Sequence, residues 1–331
     1  MNILCIGSFS NDLNIYIQEY NKVLIPFFLS NYNLKFYDTY KLKDTTIDID
    51  FLIKTKFNNN NKTIIFFTAG PWITNFLITD KQKEKISKND NLPMNNKIIN
   101  HEKYYKLYDI WDQKIDFQLN VILKPNKFNG FLYRYKGDEM DKLISQTPSL
   151  DHFNVNFYCN QYNFKNWNFE KCYDVLFYGR ESELYPMRNR LVKICKFLDK
   201  KKLIKFKYIE YGNKINQDLS QEINKSYLTI ACKTKLHDRF SGRYQEIPLS
   251  YSCIIGDIPT RYRNILENNM VETTLEMDDK QLMKSILDAL KNKTDLLQKT
   301  KNLHDIIYSN NSYLQGKNDF ENIFNQIFNR E

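Results

Sequence analysis

Twice along this chain a short run of aliphatic and aromatic residues stops at a glycine and gives way to a helical pattern. Residues 3–6 form the first run and end at Gly7; a turn with helix-capping residues, Ser8 to Asp12, precedes a helical pattern over residues 13–29. Residues 173–178 form the second and end at Gly179 and Arg180. After Pro186 an amphipathic helix is predicted to about residue 199, with Leu191, Ile194, Cys195 and Leu198 on one face. Runs of this kind lack the alternation of a half-exposed strand. Both faces must therefore be covered, which is the condition of a strand in a parallel sheet flanked by helices. A β-α start that occurs twice in 331 residues predicts an α/β chain of two Rossmann-like halves.

The remaining elements fit around these two starts. Residues 34–40 alternate like a strand, and 63–68 form another continuous apolar run that ends in the turn Ala69, Gly70, Pro71, Trp72. Turns at strand ends are where ligand contacts gather in this architecture. Residues 80–100 are polar and read as exposed, and 101–160 contain strands and short helices whose order the pattern does not show. Further strands are predicted at 205–211, 227–232, 253–255 and 270–274, with helices at 279–292 and 319–328. The polar stretch 161–168 marks a boundary. The expected division is 1–165, 166–315, and a terminal helix within 316–331 that returns to the first half.

Composition narrows the class. Hydrophobic residues make up 42% of the chain, enough for packed cores. The net charge is +9 but no block of five or six like charges occurs, so nucleic acid is not the expected partner. A phosphorylated ligand or peripheral contact with an anionic membrane suits the same balance. The six cysteines are far apart, without a CxxC pair or a Cys/His cluster, which predicts buried free thiols, no metal site and a reducing, cytoplasmic location. A strand at the N-terminus leaves no room for a signal peptide, and no apolar run reaches the length of a membrane span, so a soluble protein is expected. Asp48 and Asp50 have the spacing of a metal-binding DxD, but their polar context reads as surface.

The stretch richest in chemistry runs from Asp238 to Asp257. Two carboxylates, Asp238 and Glu246, are separated by seven residues that include Arg239, Ser241, Gly242 and Arg243; the apolar segment Ile247, Pro248, Leu249 follows, then a strand at 253–255 and the turn Gly256, Asp257. Together with the strand and turn at 174–180, this stretch resembles the donor half of GT-B glycosyltransferases and the E-x7-E signature of retaining GT4-type enzymes. Tyr185, Pro186 and Arg188, and the spacing of Arg243 to Glu246, are similar to the CgeB-like branch and to glycosyltransferases of large DNA viruses. The resemblance covers residues 172–282.

The resemblance implies a fold and a set of roles. Two Rossmann-like domains would bind an acceptor in the first half and a nucleotide-diphospho-sugar in the second, with no cofactor and no metal. Glu246 would accept hydrogen bonds from the ribose hydroxyls, and Asp238, where the family usually has Glu, would face the donor sugar as a catalytic residue. Arg180, with Arg188 as second candidate and with Arg239 and Arg243, would neutralise the diphosphate as the glycosidic bond breaks. Gly242 would let backbone approach the ligand, and Gly7 is what remains of the first half's glycine-rich loop. His101 is a candidate base or sugar contact in the first half, and His152 a lesser one. Tyr251 stands where the family usually has glycine. The expected activity is transfer of a sugar to a glycan, glycoprotein or small-molecule acceptor, with retention of configuration in the family's manner; a non-catalytic GT-B protein that binds a nucleotide sugar or glycan is the alternative, and the host cytoplasm or a virion the expected place if the source is viral.

Overall fold

The computed structural model describes residues 1–7, 9, 20–38, 47–57, 61–68, 98–110, 123, 127–134, 137–156, 169–210, 219–234 and 240–330. Two compact units divide the chain, Met1–Asn156 with Gly316–Glu331, and Phe157–Gln315.

In the first unit β1 (Asn2–Gly7) is followed by a π-helical turn, Tyr20–Leu24, that runs into α1 (Ile25–Phe28). Pro26 in the first turn of α1 suits that position, because the first amides of a helix have no internal acceptor. Next come β2 (Asn33–Asp38), β3 (Ile47–Asp48), α2 (Ile49–Lys56), β4 (Thr63–Phe67), β5 (Ile98–Ile99), β6 (Tyr105–Asp109), β7 (Gly130–Tyr133), α3 (Asp138–Ser145) and β8 (Asp151–Asn154). Six strands form one parallel sheet in the order β2-β1-β4-β6-β7-β8. Asp48 caps α2 by accepting from the amide of Phe51 at 3.1 Å, and Asp50 bonds Lys103 and Tyr104, so both carboxylates have structural partners.

The second unit contains β9 (Tyr173–Gly179), α4 (Pro186–Lys200), β10 (Phe206–Glu210), α5 (Leu219–Asn224), β11 (Ser226–Ile230), α6 (Arg243–Leu249), β12 (Cys253–Gly256), α7 (Arg263–Leu266), β13 (Val271–Glu272), α8 (Asp279–Lys291) and α9 (Lys293–Asn311). Its sheet is also parallel, in the order β10-β9-β11-β12-β13. Alternate residues of β9 serve opposite faces. Val175 and Phe177 pack with Leu191 and Cys195 of α4 and Leu282 and Ile286 of α8. Leu176 and Tyr178 pack with Tyr244 and Ile247 of α6 and Leu303 and Ile307 of α9. The two apolar faces explain the uninterrupted run in the sequence.

The helical tail is longer than its periodicity suggested. Besides α8 there is the 19-residue α9, which follows almost without a break: Asn292 closes α8 and its side chain accepts from the amide of Asp295 to open α9. The last helix, α10 (Tyr313–Phe328), covers the face of the first sheet that Phe66 presents. Phe320 packs on Phe28 and Phe66 at ring separations of 5.0 and 6.2 Å, and Phe324 lies 5.7 Å from Phe66. The Tyr32 hydroxyl donates to Asn325 Oδ1 at 2.8 Å, and Lys62 donates to the carbonyl of Phe328 at 2.9 Å. Phe320 and Phe324 are fully buried. Replacing Phe320 with Ala should cost the first unit about 3–5 kcal/mol, read as an earlier urea transition, because the cavity would open beside two aromatic rings.

Candidate functional site

Parallel strands deliver all their C-terminal ends to one edge, and helix starts cluster at the same edge. In the second unit that edge holds Gly179, Ala231, Gly256 and Thr273 at or just past the ends of β9, β11, β12 and β13, with α6 starting beside them.

Gly179 has φ +110°, a conformation that strongly favours glycine. A Cβ there would meet Arg243 Nη2 at 2.1 Å. The missing side chain is therefore the space that the Arg243 guanidinium occupies. Arg243 opens α6 and lies over the rings of Tyr178 and Phe177, at 4.7 and 5.4 Å. Arg188, in the first turn of α4, is 5% exposed and stacks on Tyr185 at 3.3 Å; its Nη1 donates to the carbonyl of Arg180 at 3.4 Å. Burial, and then the positive charge of Arg243, lower the Arg188 guanidinium to about 10. Among the described residues neither arginine forms an ion pair, and Arg188 Nε and Arg243 Nη1 are buried donors without an acceptor. Buried charges and buried donors are ordinarily matched, so two mismatched guanidiniums side by side define a place for an anion.

Glu246 lies one turn into α6. Its Oε2 accepts from the Tyr178 hydroxyl at 2.7 Å, and it is 6% exposed. A Cβ on Gly242 would come within 2.9 Å of Glu246 Oε1, so this glycine makes room for the Glu246 carboxylate. Asp257, beyond β12, accepts from the amide of Lys233 at 3.0 Å, while its carbonyl accepts from Tyr244 at 2.6 Å. Burial raises the Asp257 carboxyl above its ordinary value. This residue ties the end of β12 to the segment leaving β11. Gly256 is needed for that packing, since a Cβ would lie 1.7 Å from the carbonyl oxygen of Ala231. Thr273 buries a hydroxyl without a hydrogen-bond partner at the same edge.

The structure thus brings Arg188, Gly242, Arg243 and Glu246 together. Arg180 is exposed and offers its carbonyl to Arg188, which makes Arg188 the more enclosed of the two. Asp238 and Arg239 lie outside the described residues. Gly7 and His101 belong to the first unit. Gly7 ends β1 against Thr68, whose Oγ1 a Cβ would meet at 1.9 Å. His101 precedes β6, at the N-terminal edge of its sheet, with Nδ1 3.0 Å from Lys106 Nζ; burial and then Lys106 hold the ring below its ordinary value. His152 is engaged by Thr147 and packs on Phe131. Asp257 was read from the sequence only as part of a turn, and Tyr178 was not singled out. Tyr178 reads there as one more apolar strand residue, although its position just before the glycine that ends β9 was the available signal.

No protein-family profile and no curated protein matches the chain. Solved structures do. Anabaena HepE, determined with UDP and glucose, superposes with a TM-score of 0.60 at 8% identity, over 98% of this chain and 100% of that one. Sucrose-phosphate synthase from Thermosynechococcus elongatus gives 0.57 at 9%, over 100% of both chains. Staphylococcus aureus TarM, determined with fondaparinux, alpha-GlcNAc-glycerol and UDP, gives 0.51 at 14%, over 80% of this chain, which spans only 55% of TarM. With its two parallel Rossmann-like sheets and a terminal helix that packs on the first of them, the chain has the GT-B fold.

Gly179→Ala should displace Arg243 and force an unfavourable φ, lowering stability by about 1–2 kcal/mol in thermal or chemical unfolding. Gly137, whose Cβ would meet nothing within 4 Å, is the control: Gly137→Ala should be milder.

Proposed function

We propose that this protein is a glycosyltransferase that binds a nucleotide-diphospho-sugar in its second unit and transfers the sugar to a glycan, glycoprotein or small-molecule acceptor. One observation carries the reading: two adjacent guanidiniums, Arg188 and Arg243, are held at the C-terminal edge of the sheet with buried donors unmatched. A diphosphate has the charge and acceptor oxygens to satisfy both. The UDP in the HepE and TarM structures supports the same class of ligand.

Each side chain then has a task. Arg188 and Arg243 hold the diphosphate in the ground state and oppose the charge that grows on it as the bond to the anomeric carbon lengthens. Their fixed positions matter because no reorganisation is needed at the moment of bond breaking. Glu246 accepts from the vicinal hydroxyls of the ribose, and Tyr178, which donates to one carboxylate oxygen, sets its orientation. Asp238 faces the sugar and Arg239 adds to the phosphate side, roles taken over from the E-x7-E resemblance. His101, expected as a base or sugar contact, lies at the N-terminal edge of its sheet against Lys106, away from the edge where such folds bind ligands, and is given no task in this reading. The reaction retains anomeric configuration and needs neither metal nor cofactor in this reading, with the donor as co-substrate.

Binding of UDP, GDP, ADP, CDP and dTDP, measured by calorimetry, tests the site. One base should be preferred, and Arg243→Ala should weaken that nucleotide by roughly 30-fold or more, the usual scale for removing one partner of a buried charge-assisted contact. Glu246→Ala should weaken the nucleoside diphosphate but leave pyrophosphate binding almost unchanged, because its contact is to ribose. Unchanged affinity in both variants would refute the donor-site assignment. Transfer itself is read by NMR of the product: a retained anomer is expected, an inverted one rejects the retaining mechanism, and donor binding without transfer or hydrolysis across acceptor panels identifies a non-catalytic binding protein.

A further inference from the structure

We propose that the turn joining α4 to β10 is a docking surface for an anionic lipid bilayer. Residues 193–207 contain seven lysines and one aspartate, a net +6 within a chain whose total is +9. Glu181, outside this stretch, pairs with Lys196 at 2.6 Å, so counting it lowers the surface from +6 to +5. The lone carboxylate within the stretch, Asp199, is engaged in the fold, where it accepts from the amide of Phe206 at 3.0 Å. Lys202 adopts φ +58° in the turn after the helix, and Lys200, Lys201 and Lys202 are all exposed.

Two large apolar side chains stand among these lysines. Phe197 is 49% exposed and Leu203 58%. Their neighbours Leu198 and Ile204 are buried in the core of the second unit, which fixes the backbone from which both project. A polyanion that binds through phosphates needs the lysines but gains little from Leu203. A bilayer uses both: ammonium groups meet anionic headgroups, and the apolar tips enter the region between headgroups and acyl chains. Lysine stems can lie along that boundary while their charges stay in water. No helix among the described residues is long and apolar enough to cross a membrane, so the contact is peripheral.

The position within the unit is consistent with a working enzyme. The turn lies at the N-terminal edge of the sheet, where β10 begins, whereas Gly179, Arg188 and Arg243 lie at the opposite edge. A membrane held at the lysine turn leaves the candidate donor site open.

Flotation of the full chain with vesicles tests the surface. The protein should float with phosphatidylcholine vesicles containing about 30 mol % phosphatidylserine and not with phosphatidylcholine alone, and binding should fall as salt is raised. Lys200→Glu, Lys201→Glu and Lys202→Glu combined should reduce vesicle affinity at least roughly 100-fold, at about fivefold for each lysine lost. Phe197→Ser with Leu203→Ser should also reduce it at equal charge. These residues are exposed, so both variants should keep the wild-type melting temperature and nucleotide affinity. No flotation with anionic vesicles, or flotation unchanged in either variant, overturns the proposal. So does tighter binding of an oligonucleotide that is lost with the lysines but indifferent to Phe197 and Leu203. Nucleotide affinity is read separately, so failure here leaves the donor-site reading standing or falling by its own measurement.

Discussion

The guanidinium of Arg243 can rest across the end of β9 only because Gly179 has no side chain and takes a positive φ. Much of the candidate site follows from that close approach. Enclosing a charge is costly unless something answers it. Here the rings of Tyr178 and Phe177 answer part of it through their negative faces, and Tyr185 does the same for Arg188. Burial first, and the neighbouring positive charge of Arg243 second, disfavour the charged form of Arg188. The ligand-free arrangement is therefore less favourable than one with an anion between them, and a multivalent anion relieves both the repulsion and the unmatched donors.

The sheet makes this arrangement rigid. Strands that are buried on both faces cannot slip by one residue without turning their side chains into the wrong layer. Phe177 must face α4 and Tyr178 must face α6, and the same alternation aims the Tyr178 hydroxyl at Glu246. Asp257 and Gly256 fasten the neighbouring strand ends to one another. Among the described residues, the N-terminal edge of the second sheet shows no such convergence of buried charged groups. It presents a lysine-rich turn with two apolar tips, a composition suited to a surface rather than to an enclosed ligand.

Much of this was legible in the linear chain, but unevenly. Uninterrupted apolar runs ending in glycine announce buried parallel strands, and both starts were readable for that reason. The strands β6, β7 and β8 were not ordered in advance because Tyr105–Asp109 and Asp151–Asn154 mix charged and apolar residues, and their pairing depends on contacts with distant strands. The helix α9 was missed because its buried stripe, Leu296, Thr300, Leu303 and Ile307, has a threonine in the middle, while the apolar Leu297 and Tyr308 lie exposed beside it. Tyr251 shows the reverse case. It replaces the glycine usual in the resembling family, yet adopts φ +57°, and its ring packs on His304 at 4.3 Å. A left-handed backbone conformation is thus held here by a residue other than glycine, with aromatic packing on the same side chain.

By itself the sequence determined the class of fold and the two β-α starts, since residue type and periodicity depend only on neighbours along the chain; the candidate status of Glu246, Gly242, Arg243 and Arg188 came from the resemblance of their stretch to GT-B donor halves. Which arginines are enclosed was decided by tertiary structure. Arg180 follows β9 directly and is exposed, whereas Arg188 and Arg243 come from two different helices and meet the same strand end. Desolvation, mutual repulsion and unmatched donors arise only when segments more than fifty residues apart are packed together, and no local pattern in the chain encodes that meeting.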